Sequence, residues 1–65
     1  MPSIDPDRLR RARERRLLTQ ADLAARIGGS EATVNRLERG RNPARISTVR
    51  RLAEALGVPA DELLA

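Results

Sequence analysis

The feature that most constrains the fold of this chain is a three-residue break, Gly28-Gly29-Ser30, between two short amphipathic segments. Apolar residues recur at helical spacing on both sides of the break, at Leu23, Ala24 and Ile27 before it and at Val34 and Leu37 after it. Glycine readily takes the left-handed conformation that ends a helix, and serine is a preferred N-cap. A connection this short makes two helices cross steeply, with both apolar faces turned towards a common core. We therefore interpret the break as a tight turn rather than a flexible linker.

The chain has 65 residues, which is near the lower limit for a domain that folds alone. Its larger aliphatic residues are nine Leu, three Ile and three Val, and it has no Phe, Tyr, Trp or Cys. Ten Ala must fill the gaps, so the core supplies only a few kcal/mol of net stability. The lack of Cys fits a reducing compartment, and no apolar run could span a membrane. We expect one domain over residues 1–65, in the cytoplasm and without a signal peptide.

Cap signals divide the chain into five predicted helices and leave no pattern typical of a strand. Asp5 followed by Pro6 is typical of a helix start, and Thr19 with Asp22 three residues later resembles a capping box. Glycines and hydroxyl side chains mark the other boundaries: Gly28, Gly40 and Gly57 as stops, Ser30 and either Ser47 or Thr48 as caps. The predicted helices cover about residues 6–16, 20–27, 31–39, 48–56 and 60–64. The fold class is therefore expected to be all-α.

All thirteen basic residues are Arg, and the formal net charge is +4. The planar guanidinium suits phosphate groups and guanine edges. Six of these residues lie in the first predicted helix: Arg8, Arg10, Arg11, Arg13, Arg15 and Arg16. The apolar face of this helix, Leu9, Ala12 and Leu17, is too thin for a membrane surface. Most of the arginines should be solvated, but Arg13 falls on the inward side, between Leu9 and Leu17.

The sequence offers no residues for catalysis. It contains no His or Cys, and Ser30 and Ser47 lack a base that could activate them. The carboxylates are scattered and mostly lie within four residues of an Arg, and no glycine-rich phosphate loop is present. We therefore expect no enzymatic activity, no metal, no cofactor and no small-molecule ligand.

The residues around the turn resemble a known family. They read TQxxLAxxxG over residues 19–28, SxxxVxxLExG over 30–40 and LAxALGV over 52–58. This pattern is similar to the lambda-repressor/Cro-like helix-turn-helix domains, of the xenobiotic-response-element type, in bacterial and phage regulators. The resemblance covers about residues 8–64 and implies a compact, five-helix, lambda-repressor-like DNA-binding domain. Helices 2 and 3 would form the helix-turn-helix, with Gly28 at the turn and a small residue, Ala24, where helix 3 packs close.

The resemblance implies that helix 3 lies in the major groove while helix 2 crosses the DNA backbone. The base-contacting residues would be Gln20, Glu31, Ala32, Thr33 and Arg36. The phosphate-contacting residues would be Thr19, Asn35, Arg41, Asn42 and Arg45. Arg36 is the best candidate for a base contact, because a guanidinium can donate hydrogen bonds to O6 and N7 of one guanine at the same time. The resemblance also implies an internal ion pair between Arg13 and Glu38, which would tie helix 1 to the motif.

Three positions depart from the usual pattern of the family. Gly29 stands where an apolar residue, often Val, is usual, so the turn lacks a core contact. Leu17 stands where many members have Gly or a polar residue, which suggests a different end of helix 1. Glu31 begins the recognition helix, where a neutral polar residue is frequent. An acid there either reads a cytosine amino group or serves only the helix dipole.

Two functions remain open. The first is sequence-specific binding of double-stranded DNA by a transcriptional regulator, of repressor or antitoxin type, in the nucleoid. The second is a protein-interaction module that uses the same fold to bind a partner helix. Large apolar residues on the outer face of helix 3 would favour the second, but the sequence places Glu, Thr, Asn and Arg there. RNA ranks third, because no aromatic side chain can stack on unpaired bases.

Assembly is expected to be weak. The exposed apolar surface near the C-terminal end should be limited to residues such as Ile46, Val58 and Leu64. We expect a monomer in dilute solution, and two copies on adjacent DNA half-sites with a small contact between them.

Overall fold

The computed structural model describes residues 3–41 and 43–65 of the chain. It contains four α-helices, α1 (Pro6–Arg15), α2 (Gln20–Ile27), α3 (Glu31–Glu38) and α4 (Ile46–Leu56), followed by a 3₁₀ helix (Ala60–Leu63). The all-α prediction is confirmed, since the described residues form no strand and only one antiparallel bridge, between Ile4 and Leu64. The prediction of five α-helices is wrong. The last segment is a single tight turn, closed by bonds from Glu62 N to Pro59 O and from Leu64 N to Asp61 O, at 3.1 and 3.2 Å.

Side-chain caps fix the starts of the first three helices, as predicted. Asp5 Oδ1 accepts hydrogen bonds from the backbone N–H groups of Asp7 and Arg8, at 3.0 and 3.2 Å. In the capping box of α2, Thr19 Oγ1 accepts from Asp22 N and Asp22 Oδ2 accepts from Thr19 N, at 3.0 and 2.9 Å. Hydrogen bonding from the backbone and then the side chain of Thr19 holds the pKa of the Asp22 carboxyl below its ordinary value. At the start of α3, Ser30 Oγ accepts from Thr33 N at 3.2 Å, so three helix N-termini each have a local side-chain cap.

Helix α4 starts earlier than predicted. It begins at Ile46, with Arg45 as an N-cap that makes no side-chain cap bond, so the expected caps Ser47 and Thr48 lie inside its first turn. Ala44 is buried immediately before the helix. We attribute the early start to this anchor, which holds the loop against the core, and to the continuous apolar face of α4.

The core lies where the apolar faces of the four α-helices and the 3₁₀ helix meet. Its fully buried side chains are Leu9, Val34, Leu23, Leu52, Leu56 and Leu63. Ala24 is buried where α2 packs on α3, because only a small side chain fits a close approach of two helices. Aliphatic side chains thus form the whole of this core, without any aromatic residue.

Leu17 is not part of this core, contrary to the sequence prediction. Its side chain is 91% exposed, and its backbone is left-handed with φ +55°. Leu17 N bonds Glu14 O at 2.9 Å and Leu18 N bonds Arg13 O at 3.2 Å, which is a Schellman ending of α1. Leu17 therefore fills the left-handed position that a glycine normally takes at the end of a helix. This conformation lowers the stability of the fold by about 1–2 kcal/mol. Leu18 packs against the core instead.

An ion pair fastens α1 to α3. Arg13 Nε lies 2.6 Å from Glu38 Oε2, and Arg13 Nη2 donates to Glu38 Oε1 at 2.9 Å. The third arm, Arg13 Nη1, donates to the carbonyl of Leu18 at 2.8 Å. The two side chains are 12% and 5% exposed, and hydrogen bonding to Glu38 raises the pKa of Arg13. One guanidinium therefore joins the end of α1, the α1–α2 turn and the end of α3.

The break between α2 and α3 is a tight turn, as predicted. Gly28 ends α2 in the left-handed conformation with φ +68°, whereas Gly29 has no positive φ. The turn is closed by a hydrogen bond from Gly29 N to Ala24 O at 2.9 Å. A Cβ at Gly29 would lie 3.6 Å from two side-chain atoms of Ile27, which is ordinary van der Waals contact. Of the two glycines in this turn, only Gly28 therefore has a backbone conformation that favours glycine.

We expect Gly28→Val to destabilise the fold, because a β-branched residue at φ +68° is strained by about 1 kcal/mol or more. Gly29→Val should leave stability unchanged or raise it, since its side chain would contact Ile27. The free energy of unfolding from denaturant titration measures both. The matched pair Gly28→Ala and Gly29→Ala controls for side-chain size, and equal losses at the two positions would contradict this account.

Arg13→Ala and Glu38→Ala should each cost up to several kcal/mol, because each leaves a largely buried charge without its partner. The double variant should lose less than the sum of the two. Arg10 and Asp7 provide the control pair, since their bond is also 2.9 Å but their side chains are 48% and 65% exposed. Replacing either residue of this control pair by alanine should lower the free energy of unfolding by well under about 1 kcal/mol. Neutral or strictly additive effects at Arg13 and Glu38 would contradict the coupling.

Candidate nucleic-acid interface

Helix α3 turns one side to the core and the other to solvent. Val34 and Leu37 are buried, whereas Glu31, Ala32 and Arg36 are exposed. At about 100° per residue, Ala32 and Arg36 lie within about 40° of each other on the outer side. The residues expected to contact bases from α3 therefore share one open face, apart from Thr33, which is half-buried.

The first turn of α3 is organised by its cap. Ser30 Oγ accepts from Thr33 N at 3.2 Å, and the two hydroxyls lie 3.0 Å apart. The Thr33 hydroxyl shares one hydrogen bond with the Ser30 hydroxyl and can still form others, so the hydroxyl and the methyl group both remain for a ligand. The Glu31 carboxylate is exposed in the first turn of α3. The positive end of the helix dipole stabilises it there, whether or not it contacts a base.

A polar network connects the ion pair to the outer face of α3. Gln20 Nε2 donates to Glu38 Oε1 at 3.2 Å, and Asn35 Nδ2 donates to Gln20 Oε1 at 3.3 Å. Each amide keeps one free N–H for a ligand, and Gln20 keeps one free acceptor position where Asn35 keeps two. The network therefore orients Gln20 and Asn35 without exhausting their hydrogen bonds. These contacts were not predicted from the sequence, because Gln20 and Asn35 are 15 residues apart and meet only through the crossing of α2 on α3.

The residues expected to contact phosphate lie at both ends of the motif. Thr19 is exposed at the start of α2, Arg45 is exposed at the start of α4, and Asn35 is half-buried. Arg41 is exposed just after Gly40, whose left-handed backbone has φ +72°. Asn42 lies outside the described residues.

One further arginine, Arg39, belongs to this surface and was not predicted. It is the exposed C-cap of α3. Because it follows Ala32 by seven residues and Arg36 by three, it continues the same outer stripe. This helical spacing is the sequence signal that could have identified Arg39.

The surface is positively charged. Within residues 3–41 and 43–65, the ion pairs are Arg8–Asp5, Arg10–Asp7 and Arg13–Glu38. None of them involves Arg36, Arg39 or Arg41, so these three charges face solvent without a carboxylate partner in the described structure.

Large exposed apolar side chains are absent from this face. In the described part of the chain, the large apolar side chains that are exposed are Leu17 and Ile46, and neither lies on α3. The same residues contain no cluster of three or more His, Cys, Asp or Glu that could hold a metal ion. They also include no helix with the length and hydropathy needed to cross a bilayer.

Known structures share this arrangement. The restriction-modification controller protein C.AhdI from Aeromonas hydrophila is 32% identical, with a TM-score of 0.84 over 88% of this chain and 83% of its own. The DNA-binding domain of the P22 C2 repressor is 24% identical, with a TM-score of 0.84 over 94% of this chain and 82% of its own, a likeness of fold alone.

An enzyme also contains a similar segment. HEPD from Streptomyces albus, described with 2-hydroxyethylphosphonate and Fe(II) bound, is 37% identical over the whole of this chain, with a TM-score of 0.86. The match covers only 15% of HEPD, so it relates the chain to one small part of that protein. No curated protein matches the chain significantly.

The family comparison agrees with the geometry of α2, the turn and α3. The helix-turn-helix family model HTH_3 matches residues 9–63, which include all of the motif and most of the core. The chain therefore belongs to the Cro-like helix-turn-helix family.

Proposed function

We propose that this chain is a sequence-specific, double-stranded DNA-binding transcriptional regulator, of repressor or antitoxin type, that acts in the nucleoid. The observation that carries the proposal is the outer face of α3, which is polar and basic and exposes no large apolar side chain. A helix that docked on a partner helix would need apolar anchors on that face. The naming of C.AhdI as a controller protein supports a regulatory role.

In this proposal α3 lies in the major groove, and base contacts come from Gln20, Glu31, Ala32, Thr33 and Arg36. Arg36 bonds O6 and N7 of a guanine, and Ala32 or the methyl of Thr33 meets a thymine methyl. Gln20 is oriented by its bonds to Glu38 and Asn35, which lowers the entropy that it loses on binding.

Phosphate contacts flank the groove and fix the position of α3 without reading sequence. In the proposal they come from Thr19, Asn35, Arg41, Asn42 and Arg45. Thr19 stands at the N-terminal end of α2, where the helix dipole also attracts an anion.

Two copies are proposed to occupy half-sites about one helical turn apart. Ile46, Val49, Arg50, Ala60 and Leu64 line an open groove of about 320 Å³ between α4 and the 3₁₀ helix. Ile46 is 60% exposed, whereas Val58 and Leu64 are half-buried. The apolar surface is thus smaller than the sequence suggested, which supports a monomer that pairs only on DNA.

Arg36→Ala should weaken binding to the preferred duplex by about 1–3 kcal/mol and relax the preference at one base pair. Arg45→Ala should weaken binding to all duplexes about equally and lower the salt slope by about one ion. Titrations against the preferred and a scrambled duplex at several salt concentrations measure both effects. Arg11→Ala, an exposed arginine of α1, is the control. Equal weakening of both duplexes by Arg36→Ala would refute the base contact.

Ile46→Lys should abolish cooperative binding to a duplex with two half-sites and leave binding to one half-site unchanged. Leu17→Lys places the same charge at the other large exposed apolar residue and should preserve cooperativity. Sedimentation of the free protein should show a monomer at micromolar concentration. A stable dimer without DNA, or full cooperativity in Ile46→Lys, would contradict the proposed assembly.

A further inference from the structure

A hollow between α1 and the 3₁₀ helix lies outside the surface that is proposed to contact DNA. It has a volume of about 230 Å³, and its lining consists of four residues of α1 and two of the 3₁₀ helix: Arg8, Arg11, Ala12, Arg15, Glu62 and Leu63. We call it the α1 hollow. The three arginines are exposed, whereas Ala12 and Leu63 are buried. Three positive charges and one negative charge thus surround a partly apolar floor.

The other three arginines of α1 are used within the fold. Arg13 belongs to the buried ion pair with α3. Arg10 Nη2 lies 2.9 Å from Asp7 Oδ1. The Arg16 guanidinium lies beside Gly57, with Nη2 3.5 Å from the place of a Cβ there, at the C-terminal end of α4 where the helix dipole is negative. The arginines of the α1 hollow are therefore the ones that the fold itself does not need.

The donors of these three arginines are mostly free. In the described residues, Arg11 and Arg15 have no carboxylate partner. Arg8 makes only long contacts, from Nε to Asp5 Oδ2 at 3.8 Å and from Nη1 to the carbonyl oxygen of Leu64 at 3.5 Å. These contacts draw Arg8 towards the 3₁₀ helix and leave its other N–H groups open. The α1 hollow thus presents three guanidinium groups to an anionic ligand.

The α1 hollow faces away from α3. At about 100° per residue, Arg11 and Arg15 lie about 160° around α1 from Arg13, and Arg8 lies about 140° from it. Because Arg13 reaches Glu38 on α3, the other three arginines project from the opposite side of α1. A ligand in the hollow and a duplex on α3 would therefore not compete for the same residues.

We propose that the α1 hollow is a docking site for an acidic helix of a partner protein, and that this helix binds independently of DNA. Arg8, Arg11 and Arg15 lie within about 60° of one another and extend over about 10.5 Å, nearly two helical turns. Carboxylates at positions i, i+3 and i+7 of a second helix repeat at the same distances. Each of them can accept two parallel hydrogen bonds from one guanidinium.

Carboxylates on both sides of the arginines favour a protein over a nucleic acid. Glu14 lies about 60° beyond Arg11 around α1, and Asp61 and Glu62 lie on the 3₁₀ helix at the other side. All three are exposed. A DNA strand carries one charge per about 3.4 Å, so its phosphates would also meet these carboxylates, and such like-charge contacts oppose binding. A protein helix can carry its acids on one face and neutral or basic residues beside them, which matches the alternation of charge.

The first test uses two synthetic helical peptides of equal composition. One carries glutamates at i, i+3 and i+7 on one face, and the other distributes the same glutamates around the helix. At physiological ionic strength, where exposed charges are screened, the first peptide should cause saturable shifts of the Arg8, Arg11 and Arg15 Nε–H resonances without shifts at Arg36. The second peptide should bind at least about tenfold more weakly. Equal affinity of the two peptides, shifts that do not saturate, or equal shifts at Arg36 would overturn the proposal.

The second test compares two double variants that each remove two exposed positive charges. Arg11→Gln with Arg15→Gln should weaken binding of the one-faced peptide by about tenfold or more and leave titrations with duplex DNA unchanged. Arg36→Gln with Arg39→Gln, on α3, should leave peptide affinity unchanged. Equal losses of peptide affinity in the two variants would overturn the site. Loss of duplex binding in the α1 variant would assign these arginines to DNA and overturn the choice of partner.

Discussion

The Arg13–Glu38 ion pair is the interaction on which the rest of the structure depends. The core contains no aromatic side chain, and its aliphatic side chains make no directional bonds that would fix the mutual position of the helices. A guanidinium with three short, directional bonds adds what apolar packing lacks, because each bond fails if a helix rotates or slides. The pair therefore specifies a geometry more than it adds stability, as the desolvation of two charges offsets most of their attraction.

The consequences of this pair reach the outer face of α3. Glu38 uses the same carboxylate to hold Gln20, and Gln20 holds Asn35. The residues that set the helix crossing thus also orient the amides that would meet DNA. At the same C-terminal end of α3, just beyond Glu38, the Gly40 turn fixes the backbone of Arg41. The C-terminal half of α3 is thus held in place by bonds within the fold, so its outer face is organised before any ligand arrives.

Local signals predicted the caps and stops well. Asp5, Thr19, Ser30 and Gly28 act through neighbours one to three residues away, so their roles follow from the sequence alone. The start of α4 was misplaced because burial of Ala44, a contact with distant residues, outweighs the caps at Ser47 and Thr48. Leu17 was misplaced because helical periodicity was extended past the residue where α1 ends.

The contacts among the candidate site residues follow only in part from the sequence. The resemblance supplied the residues of α3, but the Gln20–Asn35 bond depends on how α2 crosses α3, which spacing does not reveal. Arg39 continues the stripe of Ala32 and Arg36 at helical spacing, so periodicity alone could have placed it on this face.

The most direct test of the central claim, that α3 reads the major groove of DNA, is a selection of bound sequences from a random duplex pool. The account predicts enrichment of one short motif with a fixed guanine, alone or repeated about one helical turn away. Retention of all duplexes without enrichment, or of none at low salt, would contradict it.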